Sequence, residues 1–168
     1  MKALVVAAGP SFDPELLKTF EGLVISTDRM LKTCLEYGRD PDYITTLEDS
    51  WFGCEVYDLT LFEDVKTKGK MICSRRTVPK FYEWLQEKGY DCTRNENPLN
   101  DAIQDVGTFS WFVAWEMLGC DDITFTGLDF VKSTDNQLHS IWQEILKEIH
   151  YNFCPKEVKT HGIEGFIN

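Results

Sequence analysis

Ala3-Leu4-Val5-Val6-Ala7-Ala8-Gly9-Pro10-Ser11-Phe12-Asp13-Pro14 is the stretch on which the fold class turns. Its apolar run carries no polar parity, which suits a β-strand covered on both faces. The run ends in Gly-Pro-Ser, and Asp13-Pro14 then opens a helix with proline in its first turn. Glycine lets a ligand approach the backbone, while the Ser11 hydroxyl and the helix start offer donors to a phosphate. The same residues would also build an ordinary turn.

Outward from this unit the pattern repeats. Residues 3–8, 23–27, 43–47, 70–74 and 122–126 read as short strands, apolar on both parities. Residues 13–20, 28–37, 55–65, 78–88, 108–118 and 137–150 have helical spacing, with Gly38 and Gly89 where C-terminal caps belong. Alternating strands and helices predict a Rossmann-like α/β fold: a mostly parallel sheet with helices on both faces, in one nucleotide-binding domain over 1–168. The segment 95–101 is polar and turn-rich, either an active-site loop or a plain surface loop. The tail 152–168 has no strong period.

Chain length permits a full core without bridges or metals. A net charge of −11 and a pI near 4.7 argue against extended contact with nucleic acid or anionic lipid. A local group of backbone N–H donors can still hold one small anion against that field. No run approaches the roughly 20 apolar residues of a membrane span, and the N-terminal apolar run is too short for a signal peptide. The six cysteines lack zinc-type spacing, and their apolar contexts suggest reduced thiols in a cytoplasmic protein. The composition leaves a homo-oligomer open.

In a parallel α/β sheet, ligands collect at the carboxyl ends of the strands. Here those ends are polar. Ser26-Thr27-Asp28 closes the second strand, where Asp28 could bind a ribose hydroxyl or cap a helix. Thr45-Thr46-Leu47-Glu48-Asp49-Ser50 closes the third, and Glu48 with Asp49 could hold a hydrated magnesium ion or simply begin an acidic helix. Asp105-Val106-Gly107-Thr108 opens an apolar, centrally placed helix whose Gly107 and Thr108 would meet an anion. Asp129, in Gly127-Leu128-Asp129-Phe130, follows a buried strand and needs a partner or a ligand. His139 is the general acid/base candidate, with a surface histidine as its plain alternative. Trp111 and Trp115, at i and i+4, read as core.

These stretches resemble, in order, the 6-hydroxymethylpterin diphosphokinase MptE-like family: Ala8-Gly9-Pro10-Ser11-Phe12, Ile25-Ser26-Thr27-Asp28, 41–48, Val106-Gly107-Thr108 and Leu118-Gly119-Cys120-Asp121-Asp122-Ile123 into Gly127-Leu128-Asp129-Phe130. The resemblance spans about residues 3 to 140. That family includes archaeal enzymes that move a diphosphate from ATP to a pterin alcohol with magnesium, and the Rossmann-like domain of Maf-type flagellin glycosyltransferases. The order is also similar to the family 42 sialyltransferases, which use a CMP-sugar and a catalytic histidine. The resemblance implies nucleotide-phosphate contacts for Gly9, Pro10, Ser11, Gly107 and Thr108. It implies ribose or base for Asp28, nucleotide or metal for Glu48, and the reaction centre for Asp129 with His139.

Two positions depart from the family pattern. Ala7 stands where an earlier glycine is common, and Thr46-Leu47-Glu48-Asp49 replaces Thr-Asp-Leu-Asp, displacing one carboxylate. The chain is also shorter than the typical archaeal enzyme, which implies a missing part of a substrate-covering subdomain. The leading expectation is a nucleotide-dependent transferase passing diphosphate from ATP to a pterin-type alcohol. A glycosyltransferase using a nucleotide-sugar with a CMP-type donor is the alternative, and a non-catalytic nucleotide or sugar-phosphate module the third. All three pair a nucleotide with a small-molecule partner.

Overall fold

Alternate residues of the first strand go to opposite sides, and this sets the layering. Ala3, Val5 and Ala7 pack with Phe109, Phe112 and Val113, whereas Leu4 and Val6 pack with Leu17, Val24 and Cys34. Both faces of the strand are therefore covered by helices, which is why its sequence shows no polar alternation. The computed structural model describes residues 1–48, 50, 51, 54, 55, 58–129 and 136–163; it describes 50, 51, 54, 55 and 136–140 by backbone alone.

In chain order the strands are β1 (Lys2–Val6), β2 (Leu23–Thr27), β3 (Tyr43–Thr46), β4 (Ser50–Trp51), β5 (Cys54–Glu55), β6 (Lys70–Ser74), β7 (Cys92–Asn95), β8 (Asp122–Thr126) and β9 (Lys159–His161). The helices are α1 (Pro14–Thr19), α2 (Leu31–Glu36), α3 (Pro79–Glu87), α4 (Val106–Glu116) and α5 (Asn136–Phe153). Seven strands form one sheet in the order β7-β6-β3-β2-β1-β8-β9, and every pairing in it is parallel. The fold is α/β and Rossmann-like. Strand order reverses at β1, with β2 on one side and β8, reached through α4, on the other. Helix α4 lies against β1, β2 and β3. It is apolar all round, as the sequence suggested, and Val106 opens it two residues earlier than its spacing indicated.

Two sheet strands escaped the pattern. β7 (Cys-Thr-Arg-Asn) and β9 (Lys-Thr-His) are the edges, each paired on one side only. Edge strands are short and polar because they bury less and must discourage further pairing. β9 is tied inward by the Trp111 indole N–H, which donates to Thr160 Oγ1 at 3.1 Å. The helix expected at 55–65 is instead β5 followed by a 3₁₀ turn, Leu59–Phe62. Asp58 diverts the chain there, since its carboxylate accepts from Thr60 N–H at 2.9 Å. Residues 95–101 form an ordered turn: Asn100 is fully buried and donates to Asn95 Oδ1 at 2.7 Å, and Asn95 donates to Glu116 at 2.7 Å. Cys34, Cys73, Cys92, Cys120 and Cys154 are free thiols, with burial pushing each up. No helix among the described residues is long and apolar enough to cross a membrane.

Candidate functional site at the carboxyl edge of the sheet

β1 delivers the chain into the Gly9-Pro10-Ser11 turn beside the end of β8, where the strand order reverses. Each backbone N–H of this turn already has a partner. Ala7 N–H donates to Thr126 O at 2.9 Å, Gly9 N–H to Gly127 O at 2.6 Å and Phe12 N–H to Gly9 O at 3.1 Å. Ser11 N–H donates to Asp129 Oδ2 at 2.9 Å, and Asp13 N–H to Thr126 Oγ1 at 2.8 Å. Proline supplies no donor. The turn is thus stitched to the β8 loop, and the carboxylate of Asp129 sits on it. Gly9 has room for no side chain, since a Cβ there would lie 2.3 Å from the Gly127 carbonyl oxygen and 2.2 Å from Asp129 Oδ2. Gly127 holds the other side at φ 80°, its α-carbon against the Ala7 carbonyl.

The N-terminus of α4 abuts the same loop. A Cβ on Gly107 would lie 2.3 Å from Leu128 Cδ1, so this glycine lets the helix start approach the β8 loop. Asp105 is the N-cap. It accepts from Thr108 N–H at 2.8 Å and from the Thr108 hydroxyl at 2.6 Å. Burial raises its pKa, and those hydrogen bonds with Thr108 and Gly107 oppose the rise. Gly9, Pro10, Ser11, Gly107, Thr108 and Asp129 are therefore brought together. Of the donors expected to face a phosphate, the Ser11 N–H and the N–H and hydroxyl of Thr108 are, however, satisfied by two of the protein's own carboxylates. The Asp105 role was legible in its place before Val106-Gly107-Thr108, the spacing of an N-cap and its third helical residue.

One strand over, β2 and β3 end in a second polar group. Asp28 is only 3% exposed and accepts from Arg29 N–H at 2.8 Å and from the Thr46 hydroxyl at 2.9 Å. It begins a 3₁₀ turn, Asp28–Met30, whose N-cap is Thr27, so the capping alternative for Asp28 falls away. Burial raises its pKa despite both hydrogen bonds. Glu48 lies close enough for the Asp28 charge to act on it; burial first and then Asp28 raise its pKa to about 7. Its backbone is left-handed at φ 31°, an unfavourable conformation for glutamate. The chain holds it there through Val78 N–H to Glu48 O (3.1 Å) and the Thr77 hydroxyl to Leu47 O (2.8 Å). Asp58 backbone N–H contributes a hydrogen bond to the Glu48 carboxylate.

Sequence reasoning passed over Asp58 and Arg29, because the long link between β3 and β6 gave no reason to expect them near Glu48. Asp49 and the side chain of His139 lie outside the described residues, as does Phe130. Among the described residues no group of three or more His, Cys, Asp or Glu is arranged to hold a metal. Asp28 with Glu48 is nevertheless a donor set suited to magnesium, which takes one or two carboxylates and fills its remaining positions with water and phosphate. A cavity of about 380 Å³ at the opposite edge, lined by Leu23, Asp42 and Lys70 among others, receives none of the sequence-predicted residues.

Residues 1–135 match the family model described as 6-hydroxymethylpterin diphosphokinase MptE-like. Among solved structures the fold is similar to the Maf glycosyltransferase from Magnetospirillum magneticum AMB-1, with a TM-score of 0.70 and 15% identity over 96% of this chain and 32% of that one. This chain thus spans about a third of that enzyme. It is also similar to a point mutant of the alpha-2,3/8-sialyltransferase CstII (TM-score 0.58, 14% identity, 95% of this chain and 80% of that one). The sialyltransferase CST-II in complex with a trisaccharide acceptor and CMP gives a TM-score of 0.57 at 16% identity, covering 95% and 79%. No curated protein matches.

Proposed function

The chain belongs to the 6-hydroxymethylpterin diphosphokinase MptE-like family, and from that premise we propose a nucleotide-dependent transferase working at the carboxyl edge of its sheet. In its most concrete form it passes a diphosphate from ATP to a pterin-type alcohol. The observation that carries this reading is the pair formed by buried Asp28 and half-buried Glu48 at the ends of β2 and β3, beside the strand-order reversal. Two carboxylates brought together and pushed towards neutrality suit a site completed by a cation or by a donor-rich ligand.

The acceptor oxygen attacks the β-phosphorus of ATP, a phosphorus–oxygen bond breaks, and AMP leaves. Glu48, with a pKa near 7, would take the hydroxyl proton. Asp28, fixed by Thr46 and Arg29, binds the ribose or joins Glu48 in holding magnesium. Asp49 and His139 remain in the proposed site on the strength of the sequence. Magnesium, when bound, would neutralise phosphate charge. Free thiols and ATP use fit a cytoplasmic setting.

A second reading, transfer from a CMP-type nucleotide-sugar with His139 as acid or base, is favoured by the fold likeness to a sialyltransferase solved with CMP. A thermal-shift panel of ATP, CMP, CMP-sugar and UDP-sugar, with and without magnesium, separates the two. Magnesium-dependent stabilisation by ATP is expected. Metal-independent stabilisation by CMP or CMP-sugar favours the second reading, and a flat panel removes the nucleotide from the proposal.

A further inference from the structure

We propose that Asp129 is a resident anion: its carboxylate occupies the place on the Gly9–Ser11 turn that a ligand phosphate takes, and must move away before phosphate can bind. The inference rests on the phosphate reading of this turn and adds the group that controls entry to it.

The donor census carries the proposal. From Gly9 to Asp13 the backbone offers four N–H groups, proline having none. Gly9, Phe12 and Asp13 spend theirs on internal oxygens of the turn and the β8 loop. Ser11 alone points its N–H at a charged, partly exposed side chain, Asp129, at 2.9 Å. The Ser11 hydroxyl has no hydrogen-bond partner among the described residues, and Ser11 is exposed. An oxygen of Asp129 therefore already sits where an anionic oxygen would be held by the Ser11 N–H. At Gly9 a Cβ would meet both the Gly127 carbonyl oxygen at 2.3 Å and Asp129 Oδ2 at 2.2 Å, so carbonyl and carboxylate crowd this turn together.

A phosphate cannot share this position. It needs the same donor, and its charge would lie within a few ångströms of the Asp129 charge. The ligand class that fits is a phosphate or diphosphate group able to replace one carboxylate oxygen and recruit the free hydroxyl. Swinging Asp129 out costs one hydrogen bond to a charged group, so the turn discriminates against weakly charged anions and accepts a multiply charged diphosphate.

The test is calorimetric titration of inorganic pyrophosphate in EDTA, on wild type and on Asp129→Asn, with the Ser11 amide followed in ¹H–¹⁵N spectra. Asparagine keeps an oxygen for the Ser11 N–H and removes the charge. The variant is expected to bind pyrophosphate about tenfold more tightly than wild type, with the Ser11 amide moving in both. Asp129→Ser reads the same sign if the asparagine variant does not fold. Equal or weaker binding by the charge-free variants, with the Ser11 amide still moving, overturns the role of Asp129 and leaves the phosphate reading standing. A Ser11 amide unmoved in every protein overturns both.

Discussion

Glu48 combines a left-handed backbone, a half-buried carboxyl and a second carboxyl group, Asp28, acting on it, three costs at one residue. Its pKa of about 7 makes stability depend on pH in a defined direction. The folded chain holds this proton more tightly than the unfolded chain, so stability falls as pH rises from the ordinary carboxyl range through about 7. Glu48→Gln is therefore expected to raise the melting temperature at pH 8, by the equivalent of about 1–3 kcal/mol, and to change it little near pH 4. Melting curves across pH check this, and a gain independent of pH would mean that the carboxyl is not held neutral. Gly127 is the converse case. At φ 80°, with the Ala7 carbonyl oxygen 2.0 Å from where a Cβ would be, Gly127→Ala should cost about 3 kcal/mol or more in urea unfolding.

Helix α4 depends on its cap. Asp105 satisfies both the N–H and the hydroxyl of Thr108, so Asp105→Ala should lower stability by about 1–2 kcal/mol by urea titration, and Asp105→Asn by less. Which elements could be read from sequence follows the same physics of burial. β1, β2, β3, β6 and β8 announce themselves because both faces are covered and each run is apolar. β7 and β9 do not, because an edge strand has little to bury, and β9 depends on a tryptophan 49 residues away for its anchor. The polar strand ends were visible as residue types. What spacing could not show was their pairing: that Asp129 would lie on Ser11, Asp105 on Thr108, and Asp28 beside Glu48. The first and last of these join segments that only the parallel crossovers bring together, whereas the Asp105–Thr108 contact is a local N-cap three residues long.

Taken whole, the molecule carries a net charge of −11, and its proposed ligand is an anion. The field opposes encounter, so association of magnesium-free ATP should quicken as sodium chloride is raised from about 0.05 to about 0.5 M, the reverse of a basic nucleotide-binding protein. Stopped-flow mixing measures this directly. The reversal of strand order at β1 gathers the Gly9 turn, the start of α4 and the β8 loop at one end of the sheet, with Asp28 one strand away and Glu48 two. If a nucleotide is bound there, amide hydrogen exchange with saturating magnesium–ATP, or with CMP, will show new protection at residues 7–13, 26–30, 46–48 and 105–108, with 127–129 altered. Protection centred on the amino-edge cavity around Leu23, Asp42 and Lys70, or no change anywhere at saturation, would contradict a nucleotide site at the carboxyl edge.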